Sequence, residues 1–460
     1  MRYSVSNVVF ELKCSLKLAV PLIASEIIYA LNSFFATVMV AHLGKEQLAA
    51  NALVWSIYIA VTVFFMGFLC ATSIMVAQSF GAKDNAGISI CFKQGLIMAI
   101  ILSLPMMLIM LLVPIILVWT KQDPIVIQCA NPFFHSLIWS MLPLNIMTVI
   151  QQFLVGITKT RLVMIMSIIA VPVEILSYYA FLFGKFGLPQ LGLAGIGYGL
   201  TISYSIISIY FICYLASSKA LKIYNLFKKW WIIETKFLVE MVRVGFPLGA
   251  MWCSELIFFA IVATMMGYFG VAVLAAFQIA DQYLIIAMVI LFALGQSTAI
   301  RVGNEAGRNN RNQLKLITTV NIAISIILIS IFSITYMIFP QAAIGLDIDM
   351  NSSHFQEVAR IAMTFFPIVA ILLLIDCFRI ITNGALRGLK DTNFQMLISI
   401  IGFWIIAFPA AYLLGFKYDW GGIGIWWGIV IGLIITGIML LIRFNRLVKN
   451  IDLLSLVTKK

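Results

Sequence analysis

The sequence predicts an all-α polytopic membrane protein, with twelve transmembrane helices in two six-helix bundles related by a pseudo-two-fold axis. Three observations carry this. Of the 460 residues, 63% are hydrophobic and only 10% charged, with a mean hydropathy of +1.07; a soluble domain needs more charge than that to cover its surface. Apolar windows of about 20 residues, the length that crosses a bilayer, recur along the whole chain. The second half also repeats landmarks of the first at a nearly constant offset.

In chain order, the first six spans are expected near 17–40, 51–77, 94–119, 130–155, 162–184 and 193–216. The second six are expected near 243–266, 273–298, 316–339, 358–383, 394–415 and 421–444. Lys13 and Lys17 precede the apolar run from Leu18 to Val40. That run is too long for a signal peptide and carries no A-x-A site, so it reads as the first span. The expected organisation is a first lobe over 1–216, a linker over 217–242 and a second lobe over 243–460. The linker is basic and interfacial, with Lys219, Lys222, Lys228, Lys229, Trp230, Trp231 and Lys236.

Orientation follows from the distribution of positive charge. With both termini cytoplasmic, 24 of the 30 Lys and Arg fall inside and five outside (Lys45, Lys121, Lys185, Arg360 and Lys417), and Arg379 lies within a span. Pro21 and Pro247 each open a span and stand 226 residues apart, as do Gly44 and Gly270, and Gly81 and Gly307. Gly156 and Gly388 are offset by 232, and Gly192, Gly195 and Gly199 recur 229 residues later as Gly421, Gly424 and Gly428. Six spans is an even number, so the two units share one orientation. Their symmetry axis then runs along the membrane normal, and a substrate site is expected between the halves near the midplane.

Composition also excludes several classes. The net charge of +12 is explained by loop Lys and Arg, so no nucleic acid is expected as a partner. The seven Cys are scattered without a CxxC, and the three His (42, 135 and 354) form no HExxH. These patterns point to free thiols and no zinc site. No phosphate loop is present to use ATP. No nucleophile elbow or paired catalytic motif suggests an enzyme, and no cofactor is expected.

An ionised side chain is costly in hydrocarbon, so intramembrane acids are candidates for function. There are five, Glu26, Glu174, Glu255, Asp281 and Asp376, with Arg379 as the one cation among them. Glu255 and Asp376 lie deep in the seventh and tenth spans. Sharing a cavity, they would form a hard-oxygen site for Na⁺ or a carboxylate pair for H⁺. Asp376 and Arg379, at i and i+3, could instead neutralise each other, which would weaken Na⁺ binding and favour H⁺. Gln278, Asp281 and Gln282 form a polar patch on the eighth span, either beside Glu255 or as a packing network. Glu26, Tyr29, Asn32 and Ser33 make a polar stripe on the first span, and Glu174, Ser177 and Tyr178 a similar group on the fifth. Tyr29, Tyr179 and Trp252 are candidates for cation–π contact with a flat cation.

The ordered motifs resemble the multidrug and toxin extrusion (MATE) family, especially its NorM-like bacterial branch. They include P-L-I-A-S at 21–25, T-V-M-V-A-H-L-G at 37–44, L-A-A at 48–50 and A-Q-S-F-G-A at 77–82. Later come G-F-P-L-G-A-M-W-C-S-E at 245–255 and G-A-L-R-G-L-K-D-T at 384–392. The resemblance implies a twelve-helix secondary antiporter in the bacterial inner membrane. Such a protein exports small organic cations by alternating access against inward Na⁺ or H⁺, with coupling at Glu255 and Asp376. A monomer is expected. The chain departs from the family pattern at Ala36, where the first span usually carries an acid. It also departs at Val155 in place of an Arg, at Leu372 in place of a Tyr, and at Glu174 in place of an Asn. These changes shift the expected coupling role toward the second lobe. The alternative is a lipid-linked saccharide flippase of a related fold. Its anionic substrate would want a basic cavity, whereas here five acids face one Arg.

Overall fold

The computed structural model describes residues 4–119, 123–348 and 355–457; Lys121 and His354 lie outside them. Among the described residues every regular element is a helix, without strands. The helices are α1 (Val5–Ala41), α2 (Lys45–Gly81), α3 (Asn85–Trp119), α4 (Pro124–Ile138), α5 (Met141–Gly156), α6 (Thr160–Phe183) and α7 (Ala194–Ser217). After a connecting segment come α8 (Thr235–Tyr268), α9 (Val271–Gly307), α10 (Arg311–Ile338), the short α11 (Pro340–Asp347), α12 (Gln356–Gly388), α13 (Thr392–Lys417) and α14 (Gly421–Asn450). Among the described residues eleven are long and apolar enough to cross a membrane, twelve if the pair α4 and α5, bent by 52°, counts as one span.

That bend is the main departure from the expected spans. Pro143 lacks the N–H that would close a bond to the carbonyl four residues back, at Trp139, and its ring crowds that carbonyl. The helix therefore breaks at Trp139–Ser140. The connection before α8 is also shorter than 217–242, because α8 starts at Thr235. α13 is α-helical at its start and widens to π turns over Ile401–Ala407 and Leu413–Lys417.

By packing, the chain divides into two compact units. One holds residues 20–249, and the other holds 1–19 together with 250–456. This division differs from the expected boundaries, because each unit contains the leading segment of the other's first long helix. The changeovers fall between Ala19 and Val20, just before Pro21 in α1, and between Gly249 and Ala250, just after Pro247 in α8.

The repeat is visible in backbone detail. Gly44 and Gly270, each just before a long helix, have φ of 116° and 115°, a region open to glycine and strained for other residues. Lys83 and Asn309, 226 residues apart, both have φ of 58°, and Thr158 and Lys390, 232 apart, have 62° and 58°. Gly156 packs on Ser73 and Val76, while Gly388 packs on Ala299 and Val302, each partner shifted by 226. Helices α6 and α7 close on each other at Gly195, and α13 and α14 at Gly424, where a Cβ would press on the facing backbone. In the later unit the core includes Phe258, Phe277, Phe365, Phe366 and Trp426.

Candidate functional site

In the unit containing 250–456, the helical period puts Asp376 and Arg379 on one face of α12, and packing brings Glu255 of α8 to them. Arg379 Nε donates to Asp376 Oδ1 at 2.5 Å and Nη1 donates to Glu255 Oε1 at 2.9 Å. The three side chains are 4%, 0% and 17% exposed for Arg379, Asp376 and Glu255. Phe403 of α13 lies under the guanidinium at 5.4 Å, and the neighbouring Trp404 Nε1 donates to Ser254 Oγ at 2.7 Å. The expected carboxylate pair therefore forms, but with a cation already between its members. The formal charge of the triad, with both carboxylates ionised, is −1. One oxygen of each carboxylate is committed to Arg379, and Asp376 Oδ2 is buried without a hydrogen-bond partner.

Whether Na⁺ fits can be judged from these donors. With Arg379 in place, two carboxylate oxygens remain for a hard cation that prefers several. Among the described residues there is no group of three or more His, Cys, Asp or Glu that could hold a metal ion. A proton needs only one oxygen, and adding one to either carboxylate would weaken the bridge it shares with Arg379.

The other unit carries a second polar centre. Asn32 Nδ2 of α1 donates to Glu174 Oε2 of α6 at 2.5 Å, and the Tyr178 hydroxyl, one turn along α6, donates to the same oxygen at 3.3 Å. Glu174 is 1% exposed, and its Oε1 has no hydrogen-bond partner. Gln151 Nε2 donates to the Tyr29 hydroxyl at 2.9 Å, and Ser203 Oγ donates to Ser177 Oγ at 3.1 Å. Tyr58 and Tyr204 lie in the same electrostatic neighbourhood as Glu174 and each other. This is a tyrosine-rich centre around one buried carboxyl, and Ala36 lies one turn beyond Asn32 on α1.

The remaining candidates lie elsewhere. Tyr179 is 40% exposed and packs on Phe183 and Phe186, so its neighbour Tyr178 is the tyrosine at Glu174. Trp252 faces a cation of the protein itself, with Arg387 5.9 Å from its ring. Gln278 and Gln282 are exposed and Asp281 is half-buried. No hydrogen bond or ion pair joins Asp281 to Glu255. Glu26 is exposed on α1.

One charged group escaped the sequence reasoning. Arg301 of α9 grips Glu11 of α1 with two bonds, Nε to Oε1 at 2.9 Å and Nη2 to Oε2 at 2.6 Å. Both residues are buried. Ser15 Oγ donates to Glu11 Oε1 at 3.1 Å, and Asn321 Nδ2 of α10 donates to Ser15 Oγ at 2.9 Å. Glu305 joins from the next turn of α9, bound by Arg308 at 2.8 Å and Asn310 at 3.0 Å. The i, i+4 spacing of Arg301 and Glu305 was a local signal, whereas Glu11 carried none.

Comparison with known proteins agrees with this architecture. The MatE family model matches residues 21–180 and again 247–413. A Pseudomonas aeruginosa protein named "Probable multidrug resistance protein NorM" is 32% identical over 436 residues, covering 95% of this chain and 89% of its own. A Synechocystis protein of the same name is 29% identical over 431 residues, covering 94% of each. Among solved structures, an outward-facing multidrug resistance MATE family transporter of the MOP superfamily aligns with a TM-score of 0.86 at 19% identity. It covers 96% of this chain and 97% of that one, and at such low identity it speaks for the fold alone.

Proposed function

This chain belongs to the MatE family, and we propose that it is a multidrug efflux transporter that expels organic cations in exchange for inward-moving protons. The multidrug role follows from the full-length NorM relatives and the twofold family match. The proton reading rests on one observation, the guanidinium of Arg379 held between Glu255 and Asp376.

In this reading the inward-moving proton binds Glu255 or Asp376. The carboxylate it neutralises loses its grip on Arg379, and the triad changes from −1 to neutral. An organic cation held nearby by negative charge is then bound less tightly. Exchange requires this difference in affinity between states: ion and substrate must favour different conformations for one to drive the other. Glu174 supplies a second carboxyl centre with tyrosine faces, suited to flat cations by cation–π attraction and by charge once the carboxyl gives up its proton. The chain lies in the bacterial inner membrane as a monomer with both termini in the cytoplasm, where the excess of Lys and Arg belongs.

The test is dye efflux from proteoliposomes under imposed gradients. A pH gradient is expected to drive export and a Na⁺ gradient at constant pH is not. Glu255→Gln should abolish gradient-driven export while insertion and folding persist. Export driven by Na⁺ alone, or normal transport by Glu255→Gln, would overturn the proposal.

A further inference from the structure

Between α7 and α8 the chain runs along one end of the unit containing 20–249, and its inner edge is firmly anchored. Leu221 and Leu226 are buried, Phe227 meets Phe92 edge-to-face at 5.9 Å, and Asn225 O accepts from Ser89 Oγ at 3.2 Å. Gln94 of α3 then fixes the approach to α8: its Nε2 donates to Ile232 O at 2.7 Å, and its Oε1 accepts from Glu234 N at 3.2 Å. The outer edge carries two kinds of chemistry side by side. Ile223, Trp231 and Ile233 are 60%, 65% and 60% exposed, and among them stand the exposed ammonium groups of Lys222, Lys228 and Lys229. Exposed Trp and Ile interleaved with Lys suit the headgroup layer of a bilayer, where an amphipathic ring has one wet side and one apolar side.

Immediately along α3 from Gln94, an open groove of about 410 Å³ begins. Met98 and Ile101 of α3 form one wall, Leu238, Val239 and Val242 of α8 form the other, and Arg243 supplies the single charge. Arg243 is mostly exposed and lies 3.8 Å from Glu240, the geometry of a long side chain reaching out from apolar surroundings. A polar solute gains little from such walls, and an alkyl chain gains much.

We propose that this groove and the adjoining lysines bind one anionic phospholipid, with an acyl chain along α3 and α8 and the phosphate at Lys228 and Lys229. The two halves of the site match the two halves of that molecule. A zwitterionic lipid would satisfy the groove but gain less from the lysines. A soluble phosphate would satisfy the lysines but leave the groove unused. Anchored through Gln94, the site would tie the start of α8 to α3 on the lipid side of the unit. The assignment is independent of the coupling ion and of the exported substrate.

The experiment is native mass spectrometry of the full-length protein in detergent, titrated with phosphatidylglycerol or with phosphatidylcholine of the same acyl chains. Phosphatidylglycerol is expected to bind more tightly. Lys228→Gln with Lys229→Gln should lower its affinity toward that of phosphatidylcholine, about fivefold for each lysine near a membrane surface. Val239→Trp, or Ile101→Trp should the first fail to fold, fills the groove and should weaken both lipids. Equal binding of the two lipids by the unaltered protein would overturn the proposal, as would unchanged binding after either change. A dimer that forms through the groove and excludes lipid would also overturn it.

Discussion

Replacing Arg379 by Gln should destabilise the protein in a way that a cation repairs. The side chain makes two charge-assisted hydrogen bonds, at 2.5 and 2.9 Å, to carboxylates that are 0% and 17% exposed. Removing one partner of a buried ion pair costs about 3–5 kcal/mol, because the remaining charge is left without compensation. Here two negative charges would be left facing each other, so the upper part of that range applies. For a unit of this size each kcal/mol lowers the melting temperature by about 2–4 °C, so the expected loss is on the order of 10 °C. The vacated position then becomes a place where two carboxylates could hold Na⁺. At tenfold the dissociation constant, bound Na⁺ would restore about 1.4 kcal/mol. Thermal unfolding of purified protein in Na⁺ and in choline checks both effects: the unaltered protein should be indifferent to the exchange, and Arg379→Gln should be stabilised by Na⁺. Combining Arg379→Gln with Asp376→Asn should recover much of the loss, since removing both members of a pair costs far less than removing one. An unchanged melting temperature for Arg379→Gln would refute the reasoning, as would a double variant no more stable than the single one.

Three further outcomes are expected. Glu11→Gln strips Arg301 of its bidentate partner and should cost about 3–5 kcal/mol, with faster amide hydrogen exchange over residues 5–19; unchanged exchange there would show that the pair does not anchor α1. Gly249→Ala would drive a Cβ into the carbonyl of Phe64 on α2 and should sharply lower the folded yield. The control Gly267→Ala, whose new Cβ first meets Leu274 at 3.6 Å, should be neutral or stabilising by up to about 1 kcal/mol in a thermal melt. Glu174→Gln keeps the shape of the second centre but removes its ionisable carboxyl, so export of cationic dyes in proteoliposomes should fall while neutral compounds are less affected.

The long apolar spans and the duplication were legible because each depends on local composition or on spacing. Asp376 and Arg379 were legible as a pair for the same reason, being three residues apart on a helix. Their meeting with Glu255 depends on how α8 packs against α12, so it could only be proposed as a shared cavity. The helical period already singles out Tyr178 as the tyrosine at Glu174, one turn away, with Tyr179 rotated off that face. The break at Trp139 was harder to foresee. Pro21, Pro105, Pro114, Pro132, Pro172, Pro247 and Pro367 all lie within continuous helices, so a proline alone does not announce a break. Glu11 precedes the apolar run and reads as solvated, and nothing near it reveals a guanidinium 290 residues away.

That separation matters while the chain is being made. At about 5–20 residues per second, roughly 15–60 s pass between synthesis of Glu11 and arrival of Arg301. A lone carboxylate is costly in hydrocarbon, so throughout that interval the start of α1 is best kept at the water boundary. Its final seat is created only when α9 emerges. Assembly of the later unit thus has to reach back for the first segment of the nascent chain, and a ribosome halted before Arg301 would leave a product whose residues 5–19 lack the guanidinium that seats Glu11.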